Sequence, residues 1–194
     1  IKATTYMGTY LFVLDAGHGG KDPGTISGSI YEKDINLQIV FYLKEELERL
    51  GARVILTRNG DYDLATPNAH RRKKSDFDHR ISLINNSKAD YYLSIHLNYL
   101  DDSSYYGPQV FYSTVNDKNK DIALKLQKEL NSYLGSSREI KKISNTIYMY
   151  QRLTVPGVLI ECGFLSNKNE REKLTNDKYL REYAKVVAKT FLKI

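Results

Sequence analysis

Three polar side chains close three apolar runs in this sequence. Leu11-Phe12-Val13-Leu14-Asp15-Ala16-Gly17-His18-Gly19-Gly20 ends in an imidazole set among glycines. Asp90-Tyr91-Tyr92-Leu93-Ser94-Ile95-His96 delivers a second imidazole, and Gly157-Val158-Leu159-Ile160-Glu161 a carboxylate. Open α/β sheets place their sites outside the carboxyl ends of strands, so three metal-competent groups at three such ends predict one site. Two histidines and one carboxylate, with a position left open for water, is a standard catalytic zinc set. His18 and His96 supply the nitrogens. The third ligand is expected near the start of the helix after His18, where Glu32 stands just ahead of the periodic pattern that opens at Ile35. The competing reading of Glu32 is a capping box, Ser29-Ile30-Tyr31-Glu32.

Glu161 then has a different task. A carboxylate at the end of Val158-Leu159-Ile160 is costly to bury without a partner. Facing the pocket, it is placed to take a proton from water and pass it to a leaving nitrogen. The alternative is an ion pair with a buried arginine such as Arg80 or Arg152. His70 lies in the basic run His70-Arg71-Arg72-Lys73-Lys74 and His79 precedes Arg80; both read as solvated rather than ligating. That run is a charged surface loop or an anion dock. Cys162 follows Glu161 on the same strand, so its thiol points the other way, into the core.

The elements that must position these groups are legible. Strand-like runs fall at 11–14, 53–57, 91–95, 109–112 and 158–161, with a shorter candidate at 146–150. Several are apolar without alternation, as strands covered on both faces are. Ile35, Ile39, Leu43, Leu47 and Leu50 mark a helix that Gly51 stops. Ser75-Asp76-Phe77-Asp78 resembles a capping box before a second helix. Ile122, Leu126, Leu130 and Leu134 mark a third, closed by Gly135, and Leu180 to Phe191 the last. Alternation of this kind predicts an α/β fold: a single-domain, mostly parallel mixed sheet with helices on both faces and the site at the carboxyl ends of the strands.

The chain has 194 residues, enough for one domain with its own core. Residues 1–194 read as one catalytic domain, with 1–9 an N-terminal extension following a removed signal or anchor segment. A net charge of +6 suggests an anionic partner. No base-stacking motif or recognition-helix pattern accompanies the charge, which argues against nucleic acid. The single cysteine excludes an internal disulfide, and no run approaches the ~20 apolar residues of a membrane span.

With these residues in view, the sequence resembles the zinc-dependent N-acetylmuramoyl-L-alanine amidases of the Amidase_3 family, from about Leu11 to the last helix. Asp15-Ala16-Gly17-His18-Gly19-Gly20 is similar to that family's Asp-Pro-Gly-His-Gly-Gly, and Glu32 to its metal-binding glutamate. Ser94-Ile95-His96-Leu97-Asn98 matches its Ser-Ile-His-x-Asn. Glu161-Cys162-Gly163-Phe164-Leu165-Ser166-Asn167 matches its Glu-x-Gly-Phe-Leu-Ser-Asn, and Arg80 an arginine usual on the helix before the second-histidine strand. Two departures stand out: Ala16 replaces a proline, which predicts a less rigid His18 loop, and Tyr99 replaces a small residue. Only residues 98–106 separate His96 from the next strand, too short for the inserted helix that covers the zinc in some relatives.

The resemblance implies one Zn2+ held by His18, Glu32 and His96, Glu161 as the catalytic acid–base, and Asn98 and Arg80 as substrate contacts. It implies hydrolysis of the bond between N-acetylmuramic acid and L-alanine in peptidoglycan. The compact layout looks most like the sporulation (CwlD-type) branch, which acts in cortex remodelling toward muramic-δ-lactam, outside the cytoplasm in the cell wall or spore intermembrane space. A sporulation-specific activator that stabilises the zinc-bound form is then an expected partner. A zinc peptidase on a similar sheet and a non-catalytic wall-binding module are the alternative functions.

Overall fold

A central sheet takes the apolar runs as its strands. The computed structural model describes residues 6–194. In chain order the elements are β1 (Leu11–Ala16), a small hairpin of β2 (Ile26–Ser27) and β3 (Ile30–Tyr31), α1 (Glu32–Arg49), β4 (Arg53–Leu56), α2 (Arg72–Asn86) and β5 (Tyr91–Asn98). There follow β6 (Gln109–Tyr112), α3 (Lys118–Leu134), β7 (Lys141–Lys142), β8 (Gly157–Phe164), α4 (Lys168–Leu174) and α5 (Asp177–Thr190). The strand order is β4-β1-β5-β8-β6-β7. The four strands β4, β1, β5 and β8 run parallel, and β6 is antiparallel to β8. The expected mixed, mostly parallel sheet is therefore what forms. After β1 the chain steps to β4 on one side and then to β5 on the other. The crevice at that reversal, outside the carboxyl ends of β1 and β5, is where such sheets place ligands.

Side-chain alternation splits each strand between two cores. Phe12, Leu14 and Ala16 of β1, Leu93, Ile95 and Leu97 of β5, and Val158, Ile160 and Cys162 of β8 face one side, beneath α1, α3 and α5. Val13, Tyr92 and Leu159 face the other, covered by Ile84, Phe77 and Ile81 of α2 and by Met149, Tyr150 and Leu153 of the crossing segment before β8. This second face changes character along the strands. Its next residues are Asp15, then Ser94 and His96, then Glu161. Register pairs Asp15 with Ser94 and His96 with Glu161. The period of two thus puts four polar groups in one patch where the apolar floor ends.

Several sequence expectations change. No strand forms at 146–150, where the chain makes successive turns instead; alternate aromatic and apolar residues there pack onto the sheet face rather than extend it. The Ser75 capping box is absent, because α2 begins earlier, at Arg72, without a side-chain cap. Asp76 is buried and taken by Arg80. Of the expected extension 1–9, residues 1–5 lie outside the described residues. Met7 is buried in the main core, its amide donating to the Leu50 carbonyl at 2.8 Å. Cys162 is buried, as its place on β8 predicted. Gly135 closes α3 with φ of 64°, also as expected. Among the described residues no helix is long and apolar enough to cross a membrane.

Candidate metal centre and active site

His18 sits two residues beyond β1 on a backbone that turns sharply. Its φ is 62°, a left-handed conformation uncommon for a non-glycine residue, and Gly19 and Gly20 also have positive φ. Two arginines hold the strain in place. Arg58 donates to the carbonyls of Ala16 and Gly17, both at 3.0 Å, and to Lys33 O at 2.7 Å. Arg80 donates to Ala16 O and His18 O, both at 2.7 Å. The loop is thus clamped from behind, which corrects the expectation that Ala16 loosens it. Gly17 is required for closeness: a Cβ there would collide with the His96 imidazole.

Glu32 opens α1, where the N-cap residue Tyr31 makes no side-chain cap. The capping-box reading therefore falls. The carboxylate instead turns inward, 3.1 Å from His18 Nε2 and 3.1 Å from His96 Nδ1. The imidazoles stand edge to face with centroids 4.9 Å apart. His18, Glu32 and His96 each offer a ligand atom, all within 4.8 Å of one another. Ligands at about 2.0–2.1 Å in a tetrahedral zinc shell lie about 3.4 Å apart, close to the 3.1 Å from Glu32 to each imidazole. Glu32 Oε1 also accepts from Leu97 N at 3.1 Å and Asn36 Nδ2 at 3.3 Å. Four nitrogens crowd an oxygen with two lone pairs. A cation between Oε1 and the imidazoles resolves that crowding, so the donor set fits a metal.

Charge points the same way. Burial disfavours the Glu32 carboxylate, but the two imidazoles outweigh it and hold its pKa well below the usual carboxylate range. Burial likewise opposes charge on His18, yet its contacts with Asp22 and Glu32 raise it to about 9. The pocket therefore demands positive charge, which a proton on His18 meets when no metal is bound.

Glu161 behaves in the opposite sense. Its Oε2 is sealed from solvent and has no hydrogen-bond partner. Arg80 is committed to Asp15 at 2.6 Å and Asp76 at 3.0 Å, and Arg152 stacks on Tyr148, so neither pairs with it. Burial, reinforced by the nearby Glu32 charge, pushes Glu161 up to about 8. His18, His96 and Glu161 open onto one cavity of about 280 Å³, whose walls include Lys73, Phe77 and Met149. A half-buried, unpaired carboxylate beside a metal-competent triad has the attributes of a general base near neutral pH.

A family model described as N-acetylmuramoyl-L-alanine amidase, Amidase_3, matches residues 12–192. The chain belongs to the Amidase_3 family. This amidase is 40% identical over 186 residues to the germination-specific N-acetylmuramoyl-L-alanine amidase of Bacillus subtilis, a match covering 94% of this chain and 78% of that protein. Its fold matches that of the CwlD amidase from Clostridioides difficile, solved in complex with the GerS lipoprotein, with a TM-score of 0.89 and 37% identity. That match covers 95% of this chain and 97% of the other. A further N-acetylmuramoyl-L-alanine amidase, from Clostridium difficile, matches with a TM-score of 0.81 and 31% identity over 96% of each chain. These likenesses bear out the CwlD-type branch expected from the motifs.

The structure of the amidase treats its other expected site residues unevenly. Arg80 is buried, and every nitrogen of its guanidinium is engaged with Asp15, Asp76 or backbone carbonyls. It supports the His18 loop from behind and also lines the cavity that His18, His96 and Glu161 share. Asn98 lies at the end of β5, past an irregularity in the β5–β8 ladder, and its Oδ1 accepts from Tyr99 N at 2.8 Å. It is not part of the cavity wall. His70 and His79 are exposed, as their solvated reading requires. Sequence reasoning missed Arg58, Asp15, Ser94 and Tyr150. Asp15 carried a signal as an acid ending an apolar run, and Ser94 as the first residue of the Ser94-Ile95-His96 motif.

Proposed function

We propose that this amidase uses one Zn2+, held by His18, Glu32 and His96, to hydrolyse the amide between the lactyl group of N-acetylmuramic acid and L-alanine in peptidoglycan. The observation that carries the reading is Glu161: a carboxylate with one oxygen sealed from solvent and without a partner, on the same cavity as His18 and His96. Zinc in that position supplies Lewis acidity, polarising the carbonyl and making water acidic enough to attack near neutral pH.

Glu161 accepts the proton of the attacking water as its oxygen bonds to the lactyl carbonyl carbon. As the C–N bond breaks, Glu161 returns that proton to the L-alanine nitrogen, leaving a muramic acid freed of its stem peptide. Glu161 ionises more readily once the charge of Glu32 is compensated, because Glu32 is one cause of its raised pKa. Phe77 and Met149 in the cavity wall limit water there, and Lys73 lines the same cavity with its ammonium paired to Asp22.

The likeness to a germination-specific amidase favours spore cortex as the substrate and muramic-δ-lactam formation as the outcome. It also favours action outside the cytoplasm, in the cell wall or spore intermembrane space. The Clostridioides difficile relative is bound to a lipoprotein, and a lipoprotein of that kind is the activator we propose here. Incubation with cortex peptidoglycan, with and without Zn2+ and chelator, tests the reading by mass spectrometry. Chelator-sensitive release of stem peptides beginning with L-alanine supports it. Cleavage of free peptides alone would make the protein a peptidase, and binding without cleavage in the presence of zinc and partner would make it a wall-binding module.

A further inference from the structure

A line of buried hydrogen bonds runs from Arg80 to the back of His96. Arg80 donates to Asp15 Oδ1 at 2.6 Å. Asp15 Oδ2 accepts from Ser94 Oγ at 2.6 Å. Ser94 Oγ lies 3.0 Å from Tyr150 Oη, which lies 3.4 Å from His96 Nε2. Asp15, Arg80, Ser94 and Tyr150 are all buried. The other ring nitrogen of His96, Nδ1, faces Glu32 Oε1.

Counting protons gives this line a direction. Asp15, paired with a buried guanidinium, is ionised and only accepts. Ser94 has one proton, and Asp15 takes it. Tyr150 also has one, with two possible acceptors, Ser94 Oγ at 3.0 Å and His96 Nε2 at 3.4 Å. The nearer oxygen, left with free lone pairs, is the better acceptor. What Tyr150 then turns toward His96 is a lone pair, which calls for a proton on Nε2. A neutral imidazole with its proton on Nε2 has its free electron pair on Nδ1, toward Glu32.

We propose that Tyr150 is a positioning residue that fixes His96 in the tautomer protonated on Nε2, so that Nδ1 is the nitrogen offered to the metal. The inference rests on the reading of His18, Glu32 and His96 as metal ligands. It assigns a role to a segment whose sequence pattern suggested only a short strand. Outer partners of this kind orient a ligand imidazole, and their loss costs about 10–100-fold in metal affinity. The final link is long for a hydrogen bond, so Tyr150 acts more by selecting the proton position than by gripping the ring.

The test uses the zinc-loaded protein labelled with 15N. Ring 15N shifts and couplings should show His96 bound to zinc through Nδ1, with a proton on Nε2. Coordination through Nε2 would overturn the proposal on the wild type alone, whether or not any variant folds. Tyr150→Phe should weaken zinc binding about 10–100-fold in chelator competition and speed exchange of the Nε2 proton. An unchanged zinc affinity together with an unchanged exchange rate in a folded Tyr150→Phe protein would also overturn it. Wild-type protein that binds no zinc would instead refute the metal-site reading, so the two failures are separable.

Discussion

Replacing Glu161 with Gln separates what this carboxylate does for chemistry from what it does to stability. The neutral amide keeps the shape and loses the base, so turnover should fall by about 10²–10⁴, the usual weight of general acid–base help. Zinc content should persist, because the three ligands are untouched. Stability of the metal-free protein should move the other way. Glu161 holds its proton more tightly in the folded chain, at a pKa of about 8 against 4.5, because burial and then Glu32 raise it. A raised carboxylate contributes its full stability below about pH 4.5 and loses it as pH climbs toward 8. At pH 7 the loss is about 3 kcal/mol, at 1.36 kcal/mol per pH unit. That figure is an upper bound, since the residue is partly open to the cavity. The Gln variant has no such loss. Urea denaturation of both chelator-treated proteins from pH 5 to pH 8 should therefore show a gap that opens in favour of Gln as pH rises. Groups that do not interact with Glu161 titrate alike in both proteins and cancel in the difference. A gap that stays flat with pH would refute the unpaired, proton-holding Glu161, and wild-type turnover in the variant would remove it from the mechanism.

His96→Ala should cost the metal as well as the activity; a full equivalent of zinc by elemental analysis would exclude His96 as a ligand. Gly17→Ala pushes a methyl into the His96 ring, and displacing a catalytic group by about 1 Å is worth about 10²-fold in rate; unchanged turnover would mean that the ring has room to move. Arg80→Met leaves Asp15 and Asp76 buried without their cation, which should destabilise the protein by about 3–5 kcal/mol in urea denaturation. A loss under about 1 kcal/mol would show that the clamp is not held by charge.

The elements and the proposed metal ligands were legible for one reason: each announces itself locally. Strands β1, β5 and β8 are unbroken apolar runs closed by a polar residue, and α1, α3 and α5 carry apolar residues at helical spacing. Glu32 was legible only in company, since by itself it read equally well as a cap. The second layer was not legible, because it depends on which strands become neighbours and in what register. Asp15 and Ser94 are 79 residues apart, and only the β1–β5 ladder makes them adjacent. Tyr150 belongs to a segment whose pattern mimics a strand, and only the crossing of that segment over the sheet brings its hydroxyl to His96. Arg58 follows β4 with nothing in its neighbourhood to mark it. Its role arises because β4 pairs with β1 and carries the guanidinium to the carbonyls of the His18 loop.

That loop also shows why a single substitution is a poor guide to rigidity. A proline at position 16 would restrict one backbone torsion, worth about 0.4–1 kcal/mol. The structure instead ties Ala16, Gly17 and His18 through their carbonyls to two buried arginines. Hydrogen bonds to charged groups contribute about 1.5–3 kcal/mol each, so these outweigh the missing ring several times over. The positive φ of His18 is sustained by the same contacts. An activator that only stiffened this loop would therefore add little. One that strengthens metal binding has more to act on at the partly exposed His96 and at Lys73 and Phe77 of the cavity wall.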